Sequence, residues 1–367
     1  MKVIHINSDY GNTIYRSLSK ELNNFDIHQR VFRFARPNSN KNEVYDDFVD
    51  NRINYKNYER YIFHLKHYKV IKDFLRFYKD ESIDLIHAHT LFSNGYVAYN
   101  VYKKMSIPYV ITVRGTDISV FFKYMKHLKN TGIKILLNSK KIIFLSHAHK
   151  SIVLKKYIPA KYRNQIEEKS IVIPNGVDNF YFENINSEKV IKPSRNITII
   201  TVAWINKNKN QLNMCKAISI LNKKGYNITY RVIGGVENKK DEKLVSKIKN
   251  YSFVKLIPRK NKRELLEEYR KADITCLLSY KETFGLTYIE SLLQKKPIIY
   301  SENRGVDGYF DKKKIGYSAN PSSPKDIANK IEKTIKNYVE LSSNTSFYWN
   351  KFRWDTIAEQ IYDIYKF

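Results

Sequence analysis

Two kinds of hydrophobic spacing alternate along the chain. Short apolar runs lie near residues 2–6, 28–34, 84–87, 108–113, 141–145 and 170–173, and between them apolar residues recur at helical intervals. The runs read as buried strands and the intervals as helices with one apolar face. A polar stretch with a proline, Asn186 to Asn196, precedes the apolar ITIITVAWI, after which strand and helix alternate again to about Tyr338. Polar, proline-bearing segments between periodic regions are linkers. In the tail, Trp354, Ile357, Ile361 and Ile364 recur at helical spacing. The pattern predicts two successive α/β domains with doubly wound parallel sheets, residues 1–190 and 191–348, followed by a helix within 349–367.

The densest chemistry lies at ETFGLTYIE, Glu282 to Glu290. The apolar run Ile274 to Leu278 enters it as a strand, and Leu286, Ile289, Leu292 and Leu293 leave it at helical spacing. Pro297 to Tyr300 is the next strand, so the unit is strand, loop, helix, strand. A helix start beside the end of a parallel strand offers backbone N–H groups where phosphate is favoured. Gly285 lets a ligand approach the backbone closely. Glu282 precedes the helix and Glu290 falls about 7.5 Å along it, so two carboxylates flank a phosphate placed at the amides of Thr283, Phe284, Gly285, Leu286 and Thr287. One could accept hydrogen bonds from a sugar and the other from a ribose. By themselves they are equally a loop acid and a helix-surface acid.

At 367 residues and 43% hydrophobic, the chain is large enough for two cores. No apolar run reaches the ~18 residues of a membrane span, and the opening MKVIHI is a strand pattern rather than a leader. Cys215 and Cys276 fall on an apolar helix face and inside a strand, as buried thiols of a reducing compartment do. A cytoplasmic protein is expected, at most peripheral on the inner face of a membrane. Net charge is +29, partly a bias toward Lys, Asn, Ile and Tyr, yet residues 101–165 hold fourteen Lys or Arg and one acid, Asp117. There SVFFKYMKHLKNTGIKILL interleaves Phe121, Phe122, Tyr124, Met125 and Leu128 with lysines, the composition of a helix on an anionic membrane surface or of an amphipathic helix packing its aromatics inward. Nucleic acid is not expected as a partner, since zinc-finger spacing, ribonucleoprotein motifs and a heptad-bearing basic region are all missing from the sequence.

The stretch ETFGLTYIESLLQKKPII resembles the E-x7-E signature of the family 4 glycosyltransferases, retaining enzymes of the GT-B fold. Further segments match that family in order: DLIHAHTLFSNG, IPYVITVRGTDI, IIFLSHAHK, IVIPNGVD, VIGG and ADITCLLSYKETFG. The resemblance implies two Rossmann-like domains facing across a cleft, the first binding acceptor and the second a nucleotide sugar, with the last helix crossing back to the first domain. It assigns Glu282 to the transferred sugar, Glu290 to the ribose and Lys209 to the diphosphate. The donor would be a UDP- or GDP-linked sugar, with no cofactor, and the acceptor a glycan, plausibly lipid-linked. No DxD-type metal motif sits at a strand end, so basic groups and amides must neutralise the leaving diphosphate. The family's arginine position carries Trp204, for which Lys207 or Arg259 could substitute.

In the first domain Gly11 occupies the family's first phosphate-approaching loop. Arg114 stands where the family has a histidine, either to bind an anionic group or to brace the loop by pairing with Asp117. Asn175 and Gly176 read as a hairpin-like turn with a structural role, and His87 and His89 as core and cleft lining rather than metal ligands. A retaining, metal-independent glycosyltransferase is therefore expected. An inactive partner subunit would account for Trp204, and a sugar-nucleotide epimerase would share the architecture.

Overall fold

The computed structural model describes residues 1–37, 45–191, 193, 196–236, 238–310 and 312–366. It divides into two compact units: residues 1–145, 149–176 and 354–367, and residues 146–148 with 177–353. The first unit holds seven strands, β1 (Lys2–Ile6), β2 (His28–Ala35), β3 (Val49–Ile53), β4 (Leu85–Ala88), β5 (Tyr109–Val113), β6 (Lys141–Phe144) and β7 (Ser170–Val172). They form one sheet in the order β3-β2-β1-β4-β5-β6-β7, every pairing parallel. The second has β8 (Asn196–Val202), β9 (Asn227–Ile233), β10 (Val254–Ile257), β11 (Ile274–Leu277), β12 (Ile298–Ser301) and β13 (Gly316–Ala319), also all parallel, in the order β10-β9-β8-β11-β12-β13. Both orders reverse direction once, beside the first strand of each sheet, which is the doubly wound arrangement.

Strands covered on both faces have no solvent side, which is why they read as unbroken apolar runs. In β5, Tyr109, Ile111 and Val113 enter one core, and Val110 enters the core on the opposite face. The exception to the run-based reading is β3, VDNRI, which pairs only with β2 at the sheet edge. Its polar residues meet partners instead of solvent alone: Asp50 takes Arg30, and Arg52 takes Asp73.

The helix Trp354–Tyr365 belongs to the first unit. Trp354, Ile357, Ala358, Ile361 and Ile364 are buried with Val3, Leu18, Leu22 and Val110, so the tail's helical periodicity completes one face of this sheet. Residues 349–353 stay with the second unit, where the Trp349 indole N–H donates to the Leu292 carbonyl at 3.0 Å. The other division falls at Gly176/Val177 and not near 190. The polar stretch after it is tied to the second unit by Gln294 donating to the Asn184 carbonyl at 3.0 Å and Lys295 to that of Glu188 at 2.8 Å. Residues 192, 194 and 195 of the expected linker lie outside the described residues. No hairpin forms at Asn175 and Gly176. Gly176 instead faces the Trp354 indole, which a β-carbon there would approach to 2.4 Å.

Trp354→Ala should therefore cost about 3–5 kcal/mol, read as a lowered urea midpoint for the first unit. A change below about 1 kcal/mol would show that the tail helix is not integral to that core.

Candidate functional site

In the second unit the loops that follow β8, β9, β10 and β11 all leave the same edge of a parallel sheet. The loop after β8 runs through Trp204 and a 3₁₀ turn, Lys207–Lys209, to Asn210, whose φ of 61° is left-handed, and then enters the helix Gln211–Lys223. Asn208 stitches it to the loop after β11. Its side chain donates to the Lys281 carbonyl and accepts from the Lys281 N–H, both at 3.0 Å, while its own carbonyl accepts from Tyr280 N–H at 2.9 Å. Across that seam Lys209 Nζ donates to Glu282 Oε2 at 2.8 Å. Both side chains keep some exposure, 22% and 15%, so the pair is reachable from solvent. Glu282 is aimed by Ser279, whose hydroxyl donates at 3.3 Å, and by the Thr283 N–H at 3.2 Å.

The helix Leu286–Leu292 begins at Gly285, which has φ 95° and supplies no side-chain cap. A β-carbon there would lie 2.5 Å from the Tyr288 ring, so glycine is required both by conformation and by space. Tyr288 is fixed in turn by donating to the Leu277 carbonyl. Phe284 is buried and packs on Tyr309 and Phe352, which leaves its backbone, not its ring, for a ligand. Thr283 gives its carbonyl to the Ser146 hydroxyl at 2.7 Å. Leu286 and Thr287 lie in the first helical turn.

Glu290 lies on this helix and accepts from the Tyr269 hydroxyl at 2.8 Å. Tyr269 is buried on the helix Lys262–Lys271, which a capping box at Asn261 and Glu264 starts. Burial pushes the Glu290 carboxyl up to about 7, with Asp178 adding to the shift and the Tyr269 hydrogen bond opposing it. Two partners in this site, Asn208 and Tyr269, escaped the sequence reading. Asn208 sits in the polar run NKNKN, and Tyr269 shares helical spacing with Leu266, which signals burial but not the hydroxyl's partner.

Trp204 is 45% exposed. Its ring backs onto Gly235, where a β-carbon would come within 2.8 Å of it, and the Arg259 guanidinium lies 5.9 Å from the ring centroid. A guanidinium from the end of β10 is thus placed over the tryptophan, at the outer limit of a cation–π contact. Lys207 is exposed in the 3₁₀ turn. Gly234 closes this region: a β-carbon would sit 2.0 Å from the Ala203 carbonyl oxygen.

The first unit holds Gly11 and Arg114. Gly11 lines an open cavity at the strand ends. The Arg114 guanidinium does not pair with Asp117. It donates to Asn175 Oδ1 at 2.7 Å and lies 5.0 Å from the Tyr15 ring. Asp117 is buried and accepts three backbone N–H groups, from Leu91, Phe92 and Arg114, at 2.8–3.1 Å. Burial lifts its carboxyl to about 6 against those bonds. His5 joins His87 and His89 in a buried cluster. His87 spends both ring nitrogens on Tyr365 and Thr112, and His5 Nδ1 lies 3.0 Å from His89 Nε2, a hydrogen-bond spacing. Among the described residues His5 Nε2 and His89 Nδ1 have no partner, and the ligand atoms of the three rings lie within 4.8 Å of one another, close enough to hold a metal ion. The segment SVFFKYMKHLKN is a π turn, a 3₁₀ turn and the start of a helix, not one continuous helix. Phe121, Phe122, Met125 and Leu128 join the core, and Tyr124 and Val120 remain exposed. Phe121 and Phe122 thus follow the inward-packing alternative, and Tyr124 does not.

A family model for Glycosyl transferases group 1 matches residues 182–351, and one for Glycosyltransferase Family 4 matches residues 11–179. Both models are of glycosyltransferases, and together they span most of the chain. An uncharacterised glycosyltransferase of Methanocaldococcus jannaschii is 26% identical, over 95% of this chain and 92% of its own. Alpha-monoglucosyldiacylglycerol synthase of Acholeplasma laidlawii is 26% identical over 75% and 70%. Among solved structures, sucrose-phosphate synthase from Thermosynechococcus elongatus superposes with a TM-score of 0.76, at 16% identity, covering 100% of this chain and 98% of its own. Anabaena HepE in complex with UDP-glucose gives 0.69, at 17% identity and 99% and 98% coverage. The group 1 match contains Trp204, Lys209, Arg259, Glu282 and Glu290, and the Family 4 match contains Gly11 and Arg114.

Because Glu290 titrates higher in the folded protein than in an unfolded chain, the folded state binds the extra proton between its ordinary range and about 7. Stability should fall as pH rises through that window and level off above it. Glu290→Gln should flatten this part of the profile in urea unfolding from pH 5 to 8. An unchanged slope would refute the raised value.

Proposed function

We propose that this glycosyltransferase is retaining and metal-independent, and that it moves a hexose from a UDP- or GDP-linked donor to a glycan acceptor in cell-surface glycoconjugate synthesis. The Lys209–Glu282 pair at the strand ends of the second unit carries this reading. A donor diphosphate brings negative charge to Lys209 and competes with Glu282 for it. The freed carboxylate then accepts from hydroxyls of the transferred sugar. The uncapped start of the helix Leu286–Leu292 offers the amides of Phe284 to Thr287 to the distal phosphate. Glu290 accepts from the ribose hydroxyls, and Trp204 with Arg259 flanks the diphosphate.

In the transfer the bond from anomeric carbon to diphosphate oxygen breaks and a bond to the acceptor oxygen forms on the same face. The acceptor hydroxyl's proton passes to the leaving phosphate. Lys209 and Arg259 meet the charge that grows on the diphosphate, which is where fixed positive groups lower the barrier. The HepE complex with UDP-glucose supports the UDP form of the donor. The Acholeplasma relative, a diacylglycerol glycolipid synthase by name, supports a lipid-linked acceptor, as does the basic surface of residues 101–165. With its phenylalanines packed inward, that surface would meet an anionic membrane through lysines rather than an inserted apolar face.

Incubation with nucleotide sugars and assay of the released nucleoside diphosphate tests the reading. Wild-type protein should release it, Glu282→Ala should lose about a hundredfold or more of that rate, in keeping with loss of a group acting at the reacting centre, and the variant's far-UV spectrum should match wild type. Wild-type turnover in Glu282→Ala would overturn the assignment. Isomerised donor without transfer would make the protein an epimerase, and silence with every donor would make it an inactive partner subunit.

A further inference from the structure

The first unit has a cavity of about 730 Å³ at the carboxyl ends of β1 and β2, lined by Asp9, Arg33, Arg36, Arg60, Lys66 and Ser93 among others. Ligands of open α/β sheets bind at this edge, beside the reversal of strand order, which here falls between β1 and β4. The charges around it are unequally balanced. Arg33 is 2% exposed, on β2. Its Nη1 donates to Asn51 Oδ1 at 2.6 Å, the guanidinium lies 4.9 Å from the Tyr45 ring, and its Nε has no partner.

Neighbouring arginines on the same strands differ. Arg30 is bound by both oxygens of Asp50, and Arg52 by both of Asp73, although both arginines are about one-third exposed. The more buried guanidinium is therefore the one without a carboxylate among the described residues. Lys66 donates to the Ser93 hydroxyl at 3.3 Å and lies 5.8 Å and 5.6 Å from the Phe34 and Tyr55 rings, with no carboxylate in contact among the described residues, whereas Lys69 on the same helix is paired with Glu59. Burial lowers the Lys66 ammonium to about 8. Among the described residues Asp9 is the one acid in the lining, and Arg33 and Lys66 both act on it at a distance without a contact. A buried cation without a paired anion is costly, so the arrangement is satisfied when an anion enters.

We propose that this cavity binds a phosphate group and that the acceptor of the transfer carries it. The second clause rests on the transferase reading above; the first does not. A phosphomonoester carries about −1.5 to −2 at neutral pH and three acceptor oxygens, which matches the cationic excess better than a single carboxylate does. Arg33 supplies a guanidinium in the cavity wall, Lys66 a point charge, Arg60 a further guanidinium at the rim, and the Ser93 hydroxyl a neutral partner. Gly11, in the loop after β1, leaves room at the backbone.

The phosphate can be that of a soluble sugar phosphate or of a lipid headgroup. Isothermal titration with inorganic phosphate and glucose 6-phosphate, and co-sedimentation with phosphatidylcholine vesicles with and without phosphatidic acid, distinguish the two. Binding to a soluble phosphate, or binding only to vesicles that contain phosphatidic acid, is the expected result. Arg33→Met and Lys66→Gln should each weaken it about tenfold or more, the loss expected of one charge-assisted bond. UDP binding, assigned to the second unit, should be unchanged in both and serves as the folding control. Phosphate binding of wild-type strength in both variants, or no binding to any phosphate probe, would overturn the proposal. Phosphate binding without UDP binding in the wild type would instead remove the donor reading and keep the cavity.

Discussion

An ion pair between two loops, Lys209 to Glu282, is the contact on which the second unit's site depends. It joins the exits of β8 and β11, neighbours in the sheet although 73 residues apart in sequence. A partly exposed pair of this kind contributes on the order of 1 kcal/mol, so its value is in placement more than in stability. Each partner holds the other where a donor would need it, and each is weakly enough bound to be exchanged. In the proposed complex a donor diphosphate would compete with Glu282 for Lys209, and a released carboxylate would accept from a sugar. The rigidity comes from uncharged groups around it: Asn208 bridging the two loops, Ser279 and the Thr283 amide aiming Glu282, and Gly285 allowing the helix to start on the spot.

The same edge reads differently in the two units. In the second, Lys209 is matched by Glu282, and the Arg259 guanidinium lies near the Trp204 ring. In the first, Arg30 and Arg52 have their aspartates, while Arg33 and Lys66 face a cavity without one in contact. Net charge alone does not distinguish these cases. What matters is which cations are paired and how deeply each is buried.

Much of the fold was legible because doubly covered parallel strands must be apolar throughout: every strand expected in the first domain from such a run is present, and the terminal helix follows from Trp354, Ile357, Ile361 and Ile364. β3 was not legible, since an edge strand satisfied by Arg30 and Asp73 need not be apolar. The division at Gly176/Val177 carries no such signal, because a polar segment that hydrogen-bonds along a surface, as Glu188 does to Lys295, has the composition of a free linker. At the site, Glu282, Gly285 and Glu290 could be read from local spacing and Lys209 from the resemblance. The partners that orient them, Asn208 and Tyr269, come from distant sequence, and nothing local marks an asparagine as a bridge or a tyrosine hydroxyl as a donor. Phe121 and Phe122 were ambiguous for a related reason: helical periodicity gives a face but does not say what covers it.

In the proposed donor site Lys209 and Glu282 together form the diphosphate and sugar end. Calorimetric titration of UDP and UDP-glucose into wild type, Lys209→Met and Glu282→Gln tests it most directly. Lys209→Met should weaken both ligands about tenfold or more, as loss of a charge-assisted bond does. Glu282→Gln should leave UDP bound at least as tightly as wild type, because the lysine's competitor is gone, while the additional affinity contributed by the sugar is lost. Equal binding of both ligands by all three proteins would rule out this donor site.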